Sequence, residues 1–194
     1  SPVIKKENEL KLYYLSRISE KKNLLYALDV LLQLDPPGKK IELNIIGNIE
    51  SNSYWQACTK KISQLTNKGI AVNSMGVIKN EEVGLTISKF HFLILPTLNE
   101  NYGHAIVESL YNGKPVIISD QTPWKNLEHY KAGWDIALEN INKFIETIQR
   151  CLAMGNDEYM QFAKGALEYA INNCNFNSSI EETRKMFMSV LNNG

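Results

Sequence analysis

The chain has 194 residues, enough for one sizeable core, and 44% of them are hydrophobic, an ordinary share for a globular protein. Lys and Arg together number 21, as do Asp and Glu, so the net charge is zero. That excludes a basic footprint for nucleic acid or an acidic membrane surface, and any anion site must come from local geometry.

Residues 1–10 read as a linker or a remnant of cloning. The absence of Met at the start reads as a piece cut from something longer. Lys11 to Ser16 reads as a strand, and Asn23 to Leu34 as a helix with Leu24, Leu25, Leu28, Leu31 and Leu32 on one stripe, stopped by Asp35-Pro-Pro-Gly. A strand over Ile41 to Ile46 ends at Gly47, and a helix follows over Tyr54 to Asn67. Ile70 to Met75 is a third strand ending at Gly76, and Asn80-Glu81-Glu82 opens a short helix. Strands follow at Phe92 to Leu95, Pro115 to Ser119 and Trp134 to Leu138. From Asn140 the pattern is helical: Ile141 to Met154, Asp157 to Asn173, and a last helix from Ser179 with a capping box of Ser178 and Glu181. No apolar run approaches the roughly 18 residues that span a bilayer, and the N-terminus lacks the apolar stretch of a secretory signal. Cys58, Cys151 and Cys174 are odd in number, without metal-ligand spacing, and read as reduced cytosolic thiols.

Repeated β-α units with continuous apolar strands predict an α/β fold, a Rossmann-like parallel sheet sandwiched by helices. In open sheets of this kind ligands sit outside the carboxyl ends of the strands. Arg17, Gly47, Gly76 and Glu100 all follow strand ends, so the pattern places them on one rim.

The chemistry concentrates in Asn99-Glu100-Asn101-Tyr102-Gly103-His104-Ala105-Ile106-Val107-Glu108, between two buried strands. An amide-rich helix N-terminus with Gly103 just inside it suits an anion. Glu100 before the helix and Glu108 within it would repel that anion, so they fit neutral hydroxyls beside it. A diphosphate flanked by hydroxyl-rich rings describes a nucleotide-sugar. In Ser16-Arg17-Ile18-Ser19-Glu20-Lys21-Lys22, Arg17 and Lys22 are placed to clamp a diphosphate.

These pieces, in order, resemble the carboxyl-terminal, nucleotide-sugar-binding domain of a retaining glycosyltransferase of the GT-B fold, family 4 (glycosyl transferases group 1). The family's arginine-lysine loop after the first strand is matched by Ser16-Arg17 and Lys22-Asn23, and its glycine loop by Ile46-Gly47-Asn48. Its two-glutamate segment is matched by Pro96-Thr97, Glu100-Asn101-Tyr102-Gly103 and Val107-Glu108-Ser109, with seven residues between the glutamates, before Gly113-Lys114-Pro115-Val116-Ile117. The likeness covers residues 11 to 190. It implies that Arg17 and Lys22 bind the diphosphate and neutralise charge as it leaves. Glu100 would touch the transferred sugar, with the amides around Asn101, Tyr102 and Gly103 nearby, while Glu108 would take the ribose hydroxyls. The base would lie near the loop after strand three, around Val77-Ile78, and Gly47 counts among the donor-binding residues. The resemblance implies a UDP- or GDP-linked donor as substrate, no cofactor and no metal, because no Asp-x-Asp pair is present.

The resemblance further implies an acceptor, a sugar or lipid-linked saccharide, bound by a missing N-terminal domain, and a role in bacterial surface polysaccharide assembly. The place would be cytoplasmic, peripheral to the inner membrane face through that domain. The isolated chain, residues 11–194, would bind donor without transferring it. The apolar last helix (Ile180, Met186, Phe187, Met188, Val190 and Leu191) would cross toward the missing domain and leave a patch for a second copy, a homodimer. The alternatives are a non-transferring nucleotide-sugar-binding domain, a related GT-B-type epimerase, and a flavodoxin-like signalling domain, which would need an acid pair after strand one. Where the family usually has Gly-Gly after Ser119, this chain has Asp120-Gln121-Thr122-Pro123-Trp124, Asn101 replaces a common Gly, and the Gly47 loop lacks a second glycine. His91 reads as a structural hydrogen-bonding residue, His129 as surface, and His104 as either a ligand contact or a solvated neighbour. Trp55 and Trp134 read as core or interface, with Trp124 in the rim loop as the one to watch.

Overall fold

The structure, a computed structural model, describes residues 3–36 and 38–174. Its sheet is six-stranded and parallel throughout, in the order β3-β2-β1-β4-β5-β6. The strands are β1 (Glu9–Leu15), β2 (Lys40–Ile46), β3 (Ala71–Gly76), β4 (Phe92–Leu95), β5 (Val116–Ser119) and β6 (Gly133–Ile136). The helices between and after them are α1 (Leu24–Leu32), α2 (Asn52–Asn67), α3 (Asn80–Ile87), α4 (His104–Tyr111), α5 (Ile141–Ala153) and α6 (Asn156–Asn173), with a short 3-10 turn at Glu20–Lys22. Helix α1 packs against α2 and α5, and α4 packs against α3 and α6, so one helical layer covers each face. This is the expected Rossmann-like sandwich.

The central strands carry the core because both of their faces meet a helix layer. Phe92 to Leu95 and Val116 to Ser119 are buried at every position. The edge strand departs from the expectation of full cover. In β3 only Val72 is partly covered and the other five residues are exposed. There the sheet face is polar: Asn73 donates to Glu42 (3.1 Å) and to Asn44 (3.1 Å), and Asn44 is 4% exposed. Amide and carboxylate groups on an edge face bond one another and water, so no helix need cover them.

The chain before β1 is packed more closely than a linker. Lys5 is 1% exposed, and its ammonium donates to the carbonyls of Lys6, Leu152 (3.4 Å) and Met154 (3.0 Å). Burial holds its pKa down at about 8. Strand β1 begins at Glu9, and Leu10 is fully buried. The last helix expected from Ser179 and its capping box lie outside the described residues. Among the described residues no helix is long and apolar enough to cross a membrane.

The strand order reverses between β1 and β4. At such a point the connections leave in opposite directions and open a crevice at the carboxyl ends. Two loops close on that crevice. Ile18 N–H donates to Asn48 (2.8 Å) and Glu50 N–H to Ile18 (3.1 Å), tying the β1 loop to the β2 loop. Leu98 N–H (2.8 Å) and the Thr97 hydroxyl (3.0 Å) both donate to the Lys21 carbonyl, tying it to the β4 loop.

Candidate functional site

A cleft of about 540 Å³ lies at the switch point. Its lining includes Arg17 and Lys22 after β1, Gly47 and Asn48 after β2, Val77, Ile78 and Asn80 after β3, and Glu100, His104 and Glu108 around the start of α4. Of the strand-end residues expected on one rim, Arg17, Gly47 and Glu100 line this cavity, while Gly76 ends β3 just before the lining residue Val77. Asn101, Tyr102 and Gly103 stand in the loop beside it rather than among its lining residues.

Local backbone geometry explains each placement. Gly47 has φ +146, and a Cβ there would stand 1.9 Å from the Ser16 carbonyl oxygen. Only glycine lets the β2 loop approach β1 so closely. The 3-10 turn at Glu20–Lys22 ends at Asn23 in the left-handed region (φ 57) and folds Lys22 inward until it is 8% exposed. Gly103, expected just inside α4, is instead its N-cap in the left-handed region (φ 78), with no side chain capping the helix. The first helical residues, His104 and Ala105, line the cleft. An uncapped helix start facing a cavity is the arrangement that receives an anion.

The electrostatics differ from a bare pair of cations. Lys22 Nζ is paired with Glu100, both side chains largely buried (10% and 13% exposed). Arg17 is paired with Glu50, and both are more open to solvent. Glu50 is the residue that motif reading missed. Its pairing with Arg17 depends on the β1–β2 loop contacts, which no local spacing reveals.

Glu108 is the contrast. Its carboxylate is half-buried and makes no hydrogen bond or ion pair among the described residues. Burial raises its pKa from the ordinary glutamate value. A half-buried carboxylate with no protein donor is satisfied by water or by donors that a ligand brings into the cavity. Neutral hydroxyls are suited to that task.

Nearby aromatics order the α4 loop. Tyr102 lies 5.0 Å from the His104 ring and 5.5 Å, edge-on, from Trp124, with both distances between centroids. Trp124 is 7% exposed and donates through Nε1 to the Tyr102 carbonyl (2.6 Å). His104 itself is exposed and lines the cleft. His91 is fully buried, accepting from Lys11 N–H (2.9 Å) at Nδ1. Burial, with Lys5 near it, lowers its pKa to about 4, which makes it a structural acceptor. His129 is exposed, Trp134 is buried, and Trp55 packs partly buried on the core. Lys114 sits buried beneath the sheet end, donating to the Ser88 and Phe90 carbonyls (2.9 Å each), and burial draws its pKa to about 8. Among the described residues no cluster of His, Cys, Asp or Glu could hold a metal ion.

Comparison with known proteins decides the family. The model of glycosyl transferases group 1 matches residues 2–169. This chain belongs to that family. No curated protein sequence matches it. Among solved structures it resembles HepE of Anabaena in complex with UDP-glucose, at 18% identity and a TM-score of 0.72, covering 97% of this chain and 49% of that one. A glycosyltransferase from Rickettsia africae is similar at 18% identity and a TM-score of 0.74, again over 97% and 49%. The C-terminal domain of the group 1 protein LpcC from Francisella tularensis matches at 10% identity and a TM-score of 0.72, over 87% of each chain. The group 1 chain described here thus spans about half the length of the first two, and its fold is that of GT-B glycosyltransferase domains.

Proposed function

We propose that this chain is the donor-binding half of a retaining family-4 glycosyltransferase, the carboxyl-terminal domain of the GT-B pair, which moves a sugar from a nucleotide-sugar to an acceptor. The observation that carries the reading is the unpaired, half-buried Glu108 carboxylate in a cleft that also holds an uncapped helix start and two cations. In this reading the ribose hydroxyls satisfy Glu108, and the helix start with Arg17 and Lys22 takes the diphosphate. Glu100 meets the sugar, and the base rests against Ile78 and the Gly47 loop. Negative charge that develops on the departing diphosphate is met by fixed positive groups, which is how such sites lower a barrier. The acceptor, a sugar or lipid-linked saccharide, would approach from a second domain, in the setting of bacterial surface polysaccharide assembly at the cytoplasmic side of a membrane. The neighbour in complex with UDP-glucose supports a nucleotide-sugar as the ligand class.

The test is a panel of UDP, GDP and their sugars read by saturation-transfer NMR and calorimetry. Glu108→Ala is expected to weaken the nucleoside diphosphate and its sugar by the same factor, because both carry the ribose. Loss confined to the sugar-bearing ligand would overturn the assignment. Absence of any nucleotide binding would overturn the donor-site reading as a whole.

A further inference from the structure

The segment after β5 departs from the family pattern and is not needed to line the cleft, yet it is bonded to the α4 loop at several points. Glu100 N–H donates to the Gln121 carbonyl (2.9 Å). Trp124 Nε1 donates to the Tyr102 carbonyl (2.6 Å), and its ring stands edge-on to Tyr102. At the end of β5 itself, the buried Ser119 hydroxyl donates to the Thr97 carbonyl (2.5 Å). Every residue from 97 to 102 that offers a backbone group to this contact lies on the strip bearing Glu100. The segment is in turn anchored from the opposite side. Tyr169 of α6 is 6% exposed, and its hydroxyl accepts from Lys125 N–H (3.2 Å) and donates to the Lys125 carbonyl (3.0 Å).

The geometry points to Trp124 as a positioning residue: we propose that it fixes the backbone of the loop between β4 and α4, and thereby the sugar-facing end of the donor site. The proposal rests on the donor-site reading and adds a residue to it. Two features make Trp124 suited to the work. The indole is large, rigid and nearly buried, so it restrains the loop with few rotatable bonds of its own. Its N–H is a single donor that reaches a backbone carbonyl next to the left-handed Gly103, the point at which the loop turns into α4. A flexible Gly-Gly pair at this place supplies no such brace. The Asn101 that stands where a glycine is common would have less freedom of its own, which suits a loop held from outside.

The positioning role predicts a split between ligands. The helix start at His104 and Ala105 is fixed by α4 itself, whereas Glu100 is held by the braced loop. Trp124→Phe removes the N–H and keeps a buried aromatic ring, though a smaller one than the indole. With UDP and the better-bound of UDP-glucose and UDP-N-acetylglucosamine as probes, calorimetry on the 194-residue chain is expected to show the sugar-nucleotide weakened roughly three- to tenfold, the loss of one hydrogen bond's worth of order. UDP is expected to change by less than about twofold, since of the contacts assigned to it only Lys22 touches the braced loop, through its pairing with Glu100, and Lys22 itself is positioned by the 3-10 turn after β1. Amide exchange in the ligand-free chain provides a second reading: the segment 98–102 should exchange faster in Trp124→Phe while β1 and β4 keep their protection. Tyr169→Phe, which loosens the anchor without touching the loop, should give a smaller effect of the same sign. Equal weakening of both ligands, or unchanged exchange in 98–102, would overturn the positioning role and leave the donor site standing. An unaltered chain that binds neither probe would overturn both.

Discussion

Glu100→Gln separates charge from shape in the cleft. The Lys22–Glu100 pair sits with side chains only 10% and 13% exposed, and a diphosphate arriving at Lys22 must share or displace it. Fully exposed pairs contribute about 0.2–1 kcal/mol, and this one lies near the upper end because solvent screens it less. Removing the carboxylate charge releases Lys22, so UDP should bind up to about fivefold more tightly, the equivalent of about 1 kcal/mol. The release is common to UDP and to a UDP-sugar and cancels in their ratio. The sugar-bearing ligand loses in addition the difference between a charged and a neutral hydrogen bond, about 1–1.5 kcal/mol, so its preference over UDP should fall roughly tenfold. Calorimetric titration of both ligands into the parent and variant chains reads both quantities at once. Weaker UDP binding in Glu100→Gln, or an unchanged ratio between the ligands, would refute the pairing argument.

Lys22→Ala or Arg17→Ala is expected to weaken UDP by about 1.5–3 kcal/mol, as for loss of a charge-assisted hydrogen bond, measured by the same titration. Gly47→Ala forces a Cβ to within 1.9 Å of the Ser16 carbonyl, a backbone atom that cannot swing aside, and should cost about 2–4 kcal/mol in denaturant unfolding. His91 has a folded pKa of about 4 against an ordinary value near 6.5, so the unfolded chain takes up this proton first as pH falls. Its contribution is full above about pH 6.5 and is lost as pH drops toward 4, amounting to at most about 3 kcal/mol. Unfolding at stepped pH should show that slope reduced in His91→Gln. Cys58 and Cys174 are buried with thiols pushed up to about 11 and 12, and Cys151 is raised further still by burial. A thiol reagent should therefore label the native chain only at the rate of its opening.

The alternation of strands and helices was legible because each central strand is a short apolar run between turn signals, as in Phe92-Leu93-Ile94-Leu95 before Pro96. The edge was not. Ala71-Val72-Asn73-Ser74-Met75 shows no alternation that distinguishes an exposed strand from a covered one, and the polar face it shares with Glu42 and Asn44 exists only after pairing. The cleft residues were legible because loops after parallel strands gather on one rim, whatever their distance along the chain. What could not be read was their pairing. Arg17 meets Glu50 through two backbone contacts between loops, and Lys22 meets Glu100 because Lys21 accepts from Thr97 and Leu98. Buried lysines were hidden for a similar reason. Lys5 and Lys114 satisfy carbonyls at the ends of other elements, and nothing in a lone Lys announces that.

The ion pairs also bear on how the site distinguishes ligands. Both cations that face the cleft already hold a carboxylate and Glu108 adds a third, so the empty cavity carries no excess of positive charge. A small free anion gains little by replacing a carboxylate that is already in place, because it offers the same charge and pays its own loss of freedom. A ligand that brings hydroxyls to Glu100 and Glu108 as well as phosphate to Lys22 and Arg17 satisfies the displaced carboxylate and the orphaned one together. Glu108, half-buried and without a protein donor, contributes most to that difference, since a ribose supplies hydroxyls to it and inorganic diphosphate does not. On this reasoning discrimination against inorganic phosphate or diphosphate comes from the glutamates rather than the cations. UDP should outcompete inorganic diphosphate for the cleft, and Glu108→Ala should narrow that advantage by weakening UDP while diphosphate, relieved of a neighbouring carboxylate, binds equally or more tightly. Competition titrations read this directly, and a diphosphate affinity that falls in step with UDP in Glu108→Ala would show that the carboxylate shapes the anion site instead of the ribose site.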